Sequence, residues 1–166
     1  RKALHPALIT QMDEAIGELF AKLRAHGLDD NTLVMFISDN GGSGAGSSNG
    51  PLRGGKGQMF EGGLRVPLIA RWPGRIPKGA TCHDFAASAE LFPTLLAAAG
   101  AQPPRGVILD GVNILPVLEG KAPARRKEFF WQRQGDKAAR VGQWKWVESA
   151  RGSGLFDLKA DIGEKN

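Results

Sequence analysis

A single cysteine, Cys82, stands in this chain of 166 residues, so no internal disulfide can form, although one thiol does not argue against export. No cysteines and histidines pair at zinc-binding spacing. Long apolar runs are missing too: nothing approaches the roughly 18 consecutive apolar residues of a membrane span. There is no internal repeat, and neither the phosphate-loop pattern nor GxGxxG occurs. The chain opens on Arg1 without a methionine, a signal peptide or a basic-apolar leader, which reads as a processed chain or a piece of a longer one.

The length suits one domain, or one and a fraction, and 42% apolar residues suffice for a core. The net charge is +5, from 22 Lys+Arg against 17 Asp+Glu. Those basic residues are scattered, and their longest cluster is Arg125, Arg126 and Lys127. Such scatter is that of a solvated surface rather than a nucleic-acid footprint.

Leu8, Met12, Ile16, Leu19, Phe20 and Leu23 recur at helical spacing, which predicts a helix over 6–26 with Gly27 as its stop. Thr32 to Ser38 reads as a strand, and its continuous apolar run predicts burial on both faces. A second strand is expected over Val66 to Trp72, the first part of it beside Val34–Ile37, and Glu61-Gly-Gly63 reads as a turn. Ala89 to Ala99 reads as a helix stopped by Gly100; Asp110 to Gly120 reads as a turn and a short apolar segment. After a basic, proline-containing linker at 121–127, four short strand-like runs follow: Glu128–Gln132, Ala138–Val141, Trp144–Glu148 and Gly154–Leu158. Their spacing predicts an antiparallel meander, too small to be secure alone and so packed on the first part. The fold class is therefore α/β with a parallel or mixed sheet, divided into 1–120 and a small antiparallel subdomain at 121–166.

Chemistry concentrates between residues 38 and 57. The first strand delivers Ser38, Asp39 and Asn40 at its carboxyl end. A glycine- and serine-rich loop over 41–57 follows, with Lys56 between Gly55 and Gly57. Oxygen donors at a strand end, beside a cation on a closely approaching backbone, suit a hard metal and an anion. The dipeptide Asp39-Asn40 equally suits an Asx turn, and a lone Lys56 equally suits a solvated side chain.

The longer strings decide between these readings. TLVMFISDNG at 32–41, PLRGGKG at 51–57 and FEGGLRVP at 60–67 resemble the formylglycine-dependent sulfatases of the alkaline phosphatase superfamily. The likeness extends to QMDEAIG at 11–17, WPG at 72–74, FPTLL at 92–96, DGVNILP at 110–116, and LFDL at 155–158 with Glu164 and Asn166. Before the FPT motif Glu90 replaces the family's usual aspartate.

The resemblance implies a sulfuric ester hydrolase in which Asp39 and Asn40 are calcium ligands and Lys56 contacts the sulfate as a catalytic and substrate-binding residue. It implies that the chain is the C-terminal portion of a large mixed-sheet domain. The Cys-x-Pro-x-Arg signature, whose cysteine becomes the formylglycine nucleophile, is absent, as are the two aspartates that complete the calcium site. Cys82 precedes His83-Asp84-Phe85 and does not fit that signature. His5 sits too close to Asp39 for the family's catalytic histidine, and His26 and His83 read as ordinary helix-end and loop residues. The implied partners are a sulfated small molecule or glycan and the remainder of the parent chain, with self-association of the isolated piece, no nucleic acid and no membrane span. The implied compartment is periplasmic, secreted or lysosome-like. The chain alone is expected to be inactive and to bind calcium weakly or not at all. The alternatives are a phosphoesterase or phosphonate hydrolase of the same superfamily, and a non-catalytic sulfatase-like binding protein.

Overall fold

The structure is a computed structural model that describes residues 4–44 and 46–166; Ala45, inside the long loop, and residues 1–3 lie outside the description. Helix α1 spans Leu4–Ala25. Its last turn carries Lys22 and Arg24, cations placed where the helix dipole is negative. The helix ends where the Leu28 amide reaches Leu23 O and the Gly27 amide reaches Arg24 O, with Gly27 at φ +66°. Only glycine takes that left-handed position at no steric cost, so the predicted stop is explained.

A short 3-10 turn at Asp29–Asn31 leads into strand β1, Val34–Ile37. Helix α2 is a single turn, Glu61–Leu64, and strand β2 is Leu68–Arg71. β2 pairs with β1 in the register Val34↔Arg71 to Ile37↔Leu68. The expected neighbour is confirmed, but the pair is antiparallel, and among the described residues no strands pair in parallel. The expected burial of β1 is not met: Phe36 is 38% exposed and, across the ladder, Ile69 is 61% exposed. The physical reason is that among the described residues β1 has one neighbouring strand, and the other elements cover its faces thinly. Asp29 joins β2 to the turn before β1 through a bidentate pair with Arg71, at 2.9 and 2.8 Å.

Helix α3, Leu91–Ala98, follows a 3-10 turn at Ser88–Glu90; helix α4 is Leu115–Leu118. The short apolar segment expected at 110–120 is thus partly a helical turn, with Pro116 in its first turn where a missing N–H costs nothing. Thr94 ties α3 to α4: its hydroxyl donates to Glu90 O at 2.6 Å and accepts from the Ile114 amide at 3.0 Å. Glu90 is fully buried, accepts from Arg126 Nε and the Ala87 amide, and so anchors the basic linker to the start of α3.

The last part forms the predicted meander, β3 Glu128–Arg133, β4 Asp136–Val141, β5 Trp144–Glu148 and β6 Gly154–Asp157, antiparallel in that order. Its inner face does not form a core by itself. Ala138, Val147, Phe156 and Leu158 close on Met59 and Phe60, the residues just before α2. Phe60 meets Phe156 edge to face, with ring centroids 6.4 Å apart. The main hydrophobic cluster therefore joins the small sheet to the segment that follows the glycine-rich loop.

Candidate functional site

β1 ends at Ile37, and Ser38 Oγ donates to Asn40 O at 2.9 Å, so the chain turns immediately. Asp39 is exposed and Asn40 half-buried. Leaving strand geometry here frees adjacent side chains from pointing to opposite faces. The loop then folds back on itself. The Lys56 amide donates to Gly42 O at 3.2 Å, and the Gly41 amide donates to Gly63 O at 3.1 Å. Gly62 N–H reaches Arg53 O at 2.7 Å.

These backbones touch at distances that no side chain would allow. A Cβ on Gly41 would overlap the Gly62 carbonyl; one on Gly62 would overlap the Arg53 and Gly54 carbonyls; one on Gly63 would overlap Gln58 O and Gly55 O. The strand end, the Lys56 loop and α2 thus form one close-packed glycine cradle. Asn49 fastens it from inside. Its Oδ1 accepts from the Gly42 amide at 2.8 Å, and its Nδ2 donates to Gly54 O at 2.8 Å.

Asp39, Asn40 and Lys56 line one cleft of about 1790 Å³, bordered on its far side by Phe129, Trp131 and Arg133 of the small sheet. Lys56 is exposed and also borders a second, smaller depression of about 370 Å³ between Asn49, Ser47 and Gln58. Arg133 reaches over from the end of β3 and donates to Gly57 O at 3.3 Å. His83 and Cys82 are exposed at the same cleft, while His5 and His26 are exposed elsewhere. Among the described residues, no three His, Cys, Asp or Glu side chains gather as a metal-holding group. Asp39 and Asn40 offer hard oxygen donors of the kind calcium takes, but a complete calcium shell needs about six to eight oxygens.

Beneath the cradle lies a buried charge network. Lys145, on the inward face of β5, places Nζ 2.9 Å from Glu61 Oε1 and 2.8 Å from Glu164 Oε1. The contact with Glu164 is an ion pair without hydrogen-bond alignment, since Glu164 Oε1 has no aligned donor. Glu164 Oε2 accepts from the Glu61 amide, and Arg65 Nε lies 2.6 Å from Glu61 Oε2. Burial pushes the Glu61 carboxyl up, but Lys145 and Arg65 together outweigh it and hold the group below its ordinary value. At Glu164 burial wins over Lys145, and its carboxyl is raised. The sequence reading missed this network. Glu61-Gly-Gly63 is not a turn but the start of α2, held by Glu164 from the far end of the chain.

Residues 4–101 match the profile of the family described as Sulfatase. The chain belongs to the sulfatase family. A second profile, described as N-sulphoglucosamine sulphohydrolase, C-terminal, matches residues 55–166. Arylsulfatase A of Bos taurus is 42% identical over 164 residues, covering 92% of this chain and 32% of the relative. N-acetylgalactosamine-6-sulfatase of Canis lupus familiaris is 36% identical over 151 residues, covering 85% of this chain and 29% of the relative. The crystal structure of Ps i-CgsB in complex with k-i-k-neocarrahexaose superposes with a TM-score of 0.83 at 35% identity, covering 93% of this chain and 36% of that one. The chain thus spans about a third of the length of the relatives it matches. The sulfatase match includes β1, the glycine cradle and Lys56, and the second match includes the small sheet and Glu164.

Proposed function

We propose that this chain is the C-terminal part of a sulfuric ester hydrolase, and that it supplies one wall of the sulfate site. The observation that carries the reading is the glycine cradle, which ties the Lys56 backbone to Gly42, two residues beyond Asn40, and leaves Asp39, Asn40 and Lys56 on one cleft. In this reading Asp39 and Asn40 give two oxygen ligands to a calcium ion. The remaining ligands and the formylglycine nucleophile come from outside these 166 residues. The ion, when bound, polarises the sulfuryl oxygens. Lys56 places a compact positive charge against the sulfate or the leaving oxygen, where negative charge grows as the S–O bond breaks.

A sulfated sugar is the substrate class this wall suits. Aromatic Phe129 and Trp131 offer flat apolar surface, and Arg133 adds a second cation to Lys56 on the same cleft. The names of the relatives support the same class, since they include an N-acetylgalactosamine-6-sulfatase and a complex with a neocarrahexaose. The division at 121–127 belongs to this proposal: residues 1–120 complete the α/β domain and 121–166 buttress it.

The test is Lys56→Ala in the intact protein, assayed on sulfate esters. Turnover should fall about a hundredfold or more, the usual cost of ~2.7–4 kcal/mol for losing one charge-stabilising group in a water-excluded site. Lys56→Arg should restore turnover only in part, because a planar fork does not replace a compact ammonium. Wild-type turnover in Lys56→Ala would make Lys56 an ordinary loop lysine.

A further inference from the structure

Glu61, Lys145 and Glu164 are 3%, 0% and 0% exposed, yet the chemistry proposed for Lys56, Asp39 and Asn40 uses none of them. Fold stability alone is a poor reason for such a network, because replacing buried ion pairs with apolar residues of similar volume is often neutral or stabilising. Its connections point elsewhere. Lys145 grips the Glu61 side chain, and Glu164 grips the Glu61 amide, so both ends of one residue are held by the C-terminal part of the chain. The two residues after Glu61 are the glycines that touch the site. Gly62 donates to Arg53 O in the Lys56 loop, and Gly63 O accepts from Gly41 next to Asn40.

We propose that Lys145 and Glu164 are positioning residues: by fixing Glu61 they set the spacing between the strand end that carries Asp39 and Asn40 and the loop that carries Lys56. The inference rests on the sulfatase reading above. Three backbones are packed to contact around Gly41, Gly62 and Gly63, so a shift of α2 cannot be absorbed locally and moves both walls. A second arm closes the loop. Arg53, three residues before Lys56, donates Nη1 to Glu164 O at 2.9 Å and lies over the Phe60 ring at 3.9 Å. Glu164 therefore holds the Lys56 loop through Arg53 and holds α2 through Glu61. The small sheet acts on the site through these contacts, and β5 supplies Lys145 because its alternation turns residues 145 and 147 inward.

The experiment uses the intact protein with Lys145→Met and Glu164→Leu, each alone and each combined with Lys56→Ala, and 4-nitrophenyl sulfate as the probe. Misplaced groups at a reacting centre cost about a hundredfold when the error nears an ångström, so kcat should fall by about that factor with KM little changed. Each combined variant should lose less than the product of its two single losses, because part of the loss is routed through the Lys56 loop. Hydrogen exchange at the Gly62, Gly63 and Lys56 amides should quicken in Glu164→Leu while the β3–β6 amides keep their protection. Folded variants with wild-type kcat, or losses that multiply with Lys56→Ala, would overturn the proposal. If Lys145→Met does not fold, Glu164→Leu decides, since Leu keeps most of the bulk, removes the acceptor for the Glu61 amide and leaves Lys145 its partner Glu61. If the wild-type protein does not hydrolyse the probe, the sulfatase reading fails for that ester, and exchange alone judges the positioning: unchanged protection at Gly62 and Gly63 overturns it.

Discussion

The amide of Lys56 donates to the carbonyl of Gly42, so the basic loop is bonded to the chain just beyond the acidic strand end. The bond is main chain to main chain. The distance between the cation and the Asp39-Asn40 pair is therefore set by backbone packing, and side-chain rotamers adjust only the last few ångströms. Glycine is required on both sides of this contact for steric reasons, as a Cβ on Gly55 would press on the same Gly42 carbonyl.

Gly41→Ala tests that packing directly. The new methyl would overlap Gly62 O, and neither backbone has room to retreat. The expected loss is about 1–3 kcal/mol, the usual cost of overpacking, read as a lower midpoint in urea at unchanged slope. Gly17→Ala is the control: it stands on α1 with nothing near its Cβ direction, and it should be neutral or slightly stabilising. Equal midpoints for the two variants would mean that the cradle is looser than its geometry.

Acid should loosen the fold through identifiable groups. The hydrogen bond from Arg71 holds Asp29 below the ordinary carboxylate range, and Glu61 is also held low once Lys145 and Arg65 have offset its burial. A depressed folded value adds stability above the unfolded value, about pH 4 for these side chains, and that stability is lost as pH falls through the folded value. Glu164 has the opposite sign: its raised value favours the fold at low pH, and that contribution is lost as pH rises through it. Thermal melts between pH 7 and 3 should show Tm falling on the acid side, with a shallower fall in Asp29→Asn. A parallel fall in that variant would remove the Asp29–Arg71 pair from the account.

The isolated chain should associate. Leu8, Ile9, Met12 and Leu19 of α1 are about half exposed, and Phe36 and Ile69 stand out from the β1–β2 pair. Apolar surface of this kind on adjoining elements recruits partners. Light scattering should give an apparent mass that climbs with concentration. A strictly monomeric chain at high concentration would show that these faces need no cover.

Periodicity made most of the elements legible in the sequence. The 3.6-residue recurrence marked α1, and the Leu91, Leu95 and Leu96 pattern marked α3, each with its glycine stop. Alternation and turn residues marked all four strands of the meander. What stayed hidden depends on distant parts of the chain. Glu61-Gly-Gly63 has poor helix propensity and forms a helical turn with Glu164, 103 residues away, on its first amide. Lys145 is a residue type rarely found buried, yet the alternation of β5 already put it beside Val147; two carboxylates make that position tenable. The burial of β1 was overestimated because an apolar run records which residues tolerate cover, and not whether cover is present. In the site, the closeness of Lys56 to the strand end was readable, while the clamp by Asn49 was not, since one asparagine among serines and glycines looks like any loop residue.

The glycine cradle has an evolutionary consequence. Its members meet backbone to backbone, so a side chain added at Gly41, Gly62 or Gly63 disturbs the wall as a whole and does not tune one part of it. Variation in what the cleft accepts must accumulate on parts that can change without disturbing the cradle. The tip of the β3–β4 hairpin is such a part: Gln134 and Gly135 are exposed, a Cβ on Gly135 meets open space, and Arg133 beside them leans onto Gly57. Divergence within this lineage should be recorded in that hairpin, at the border of the cleft.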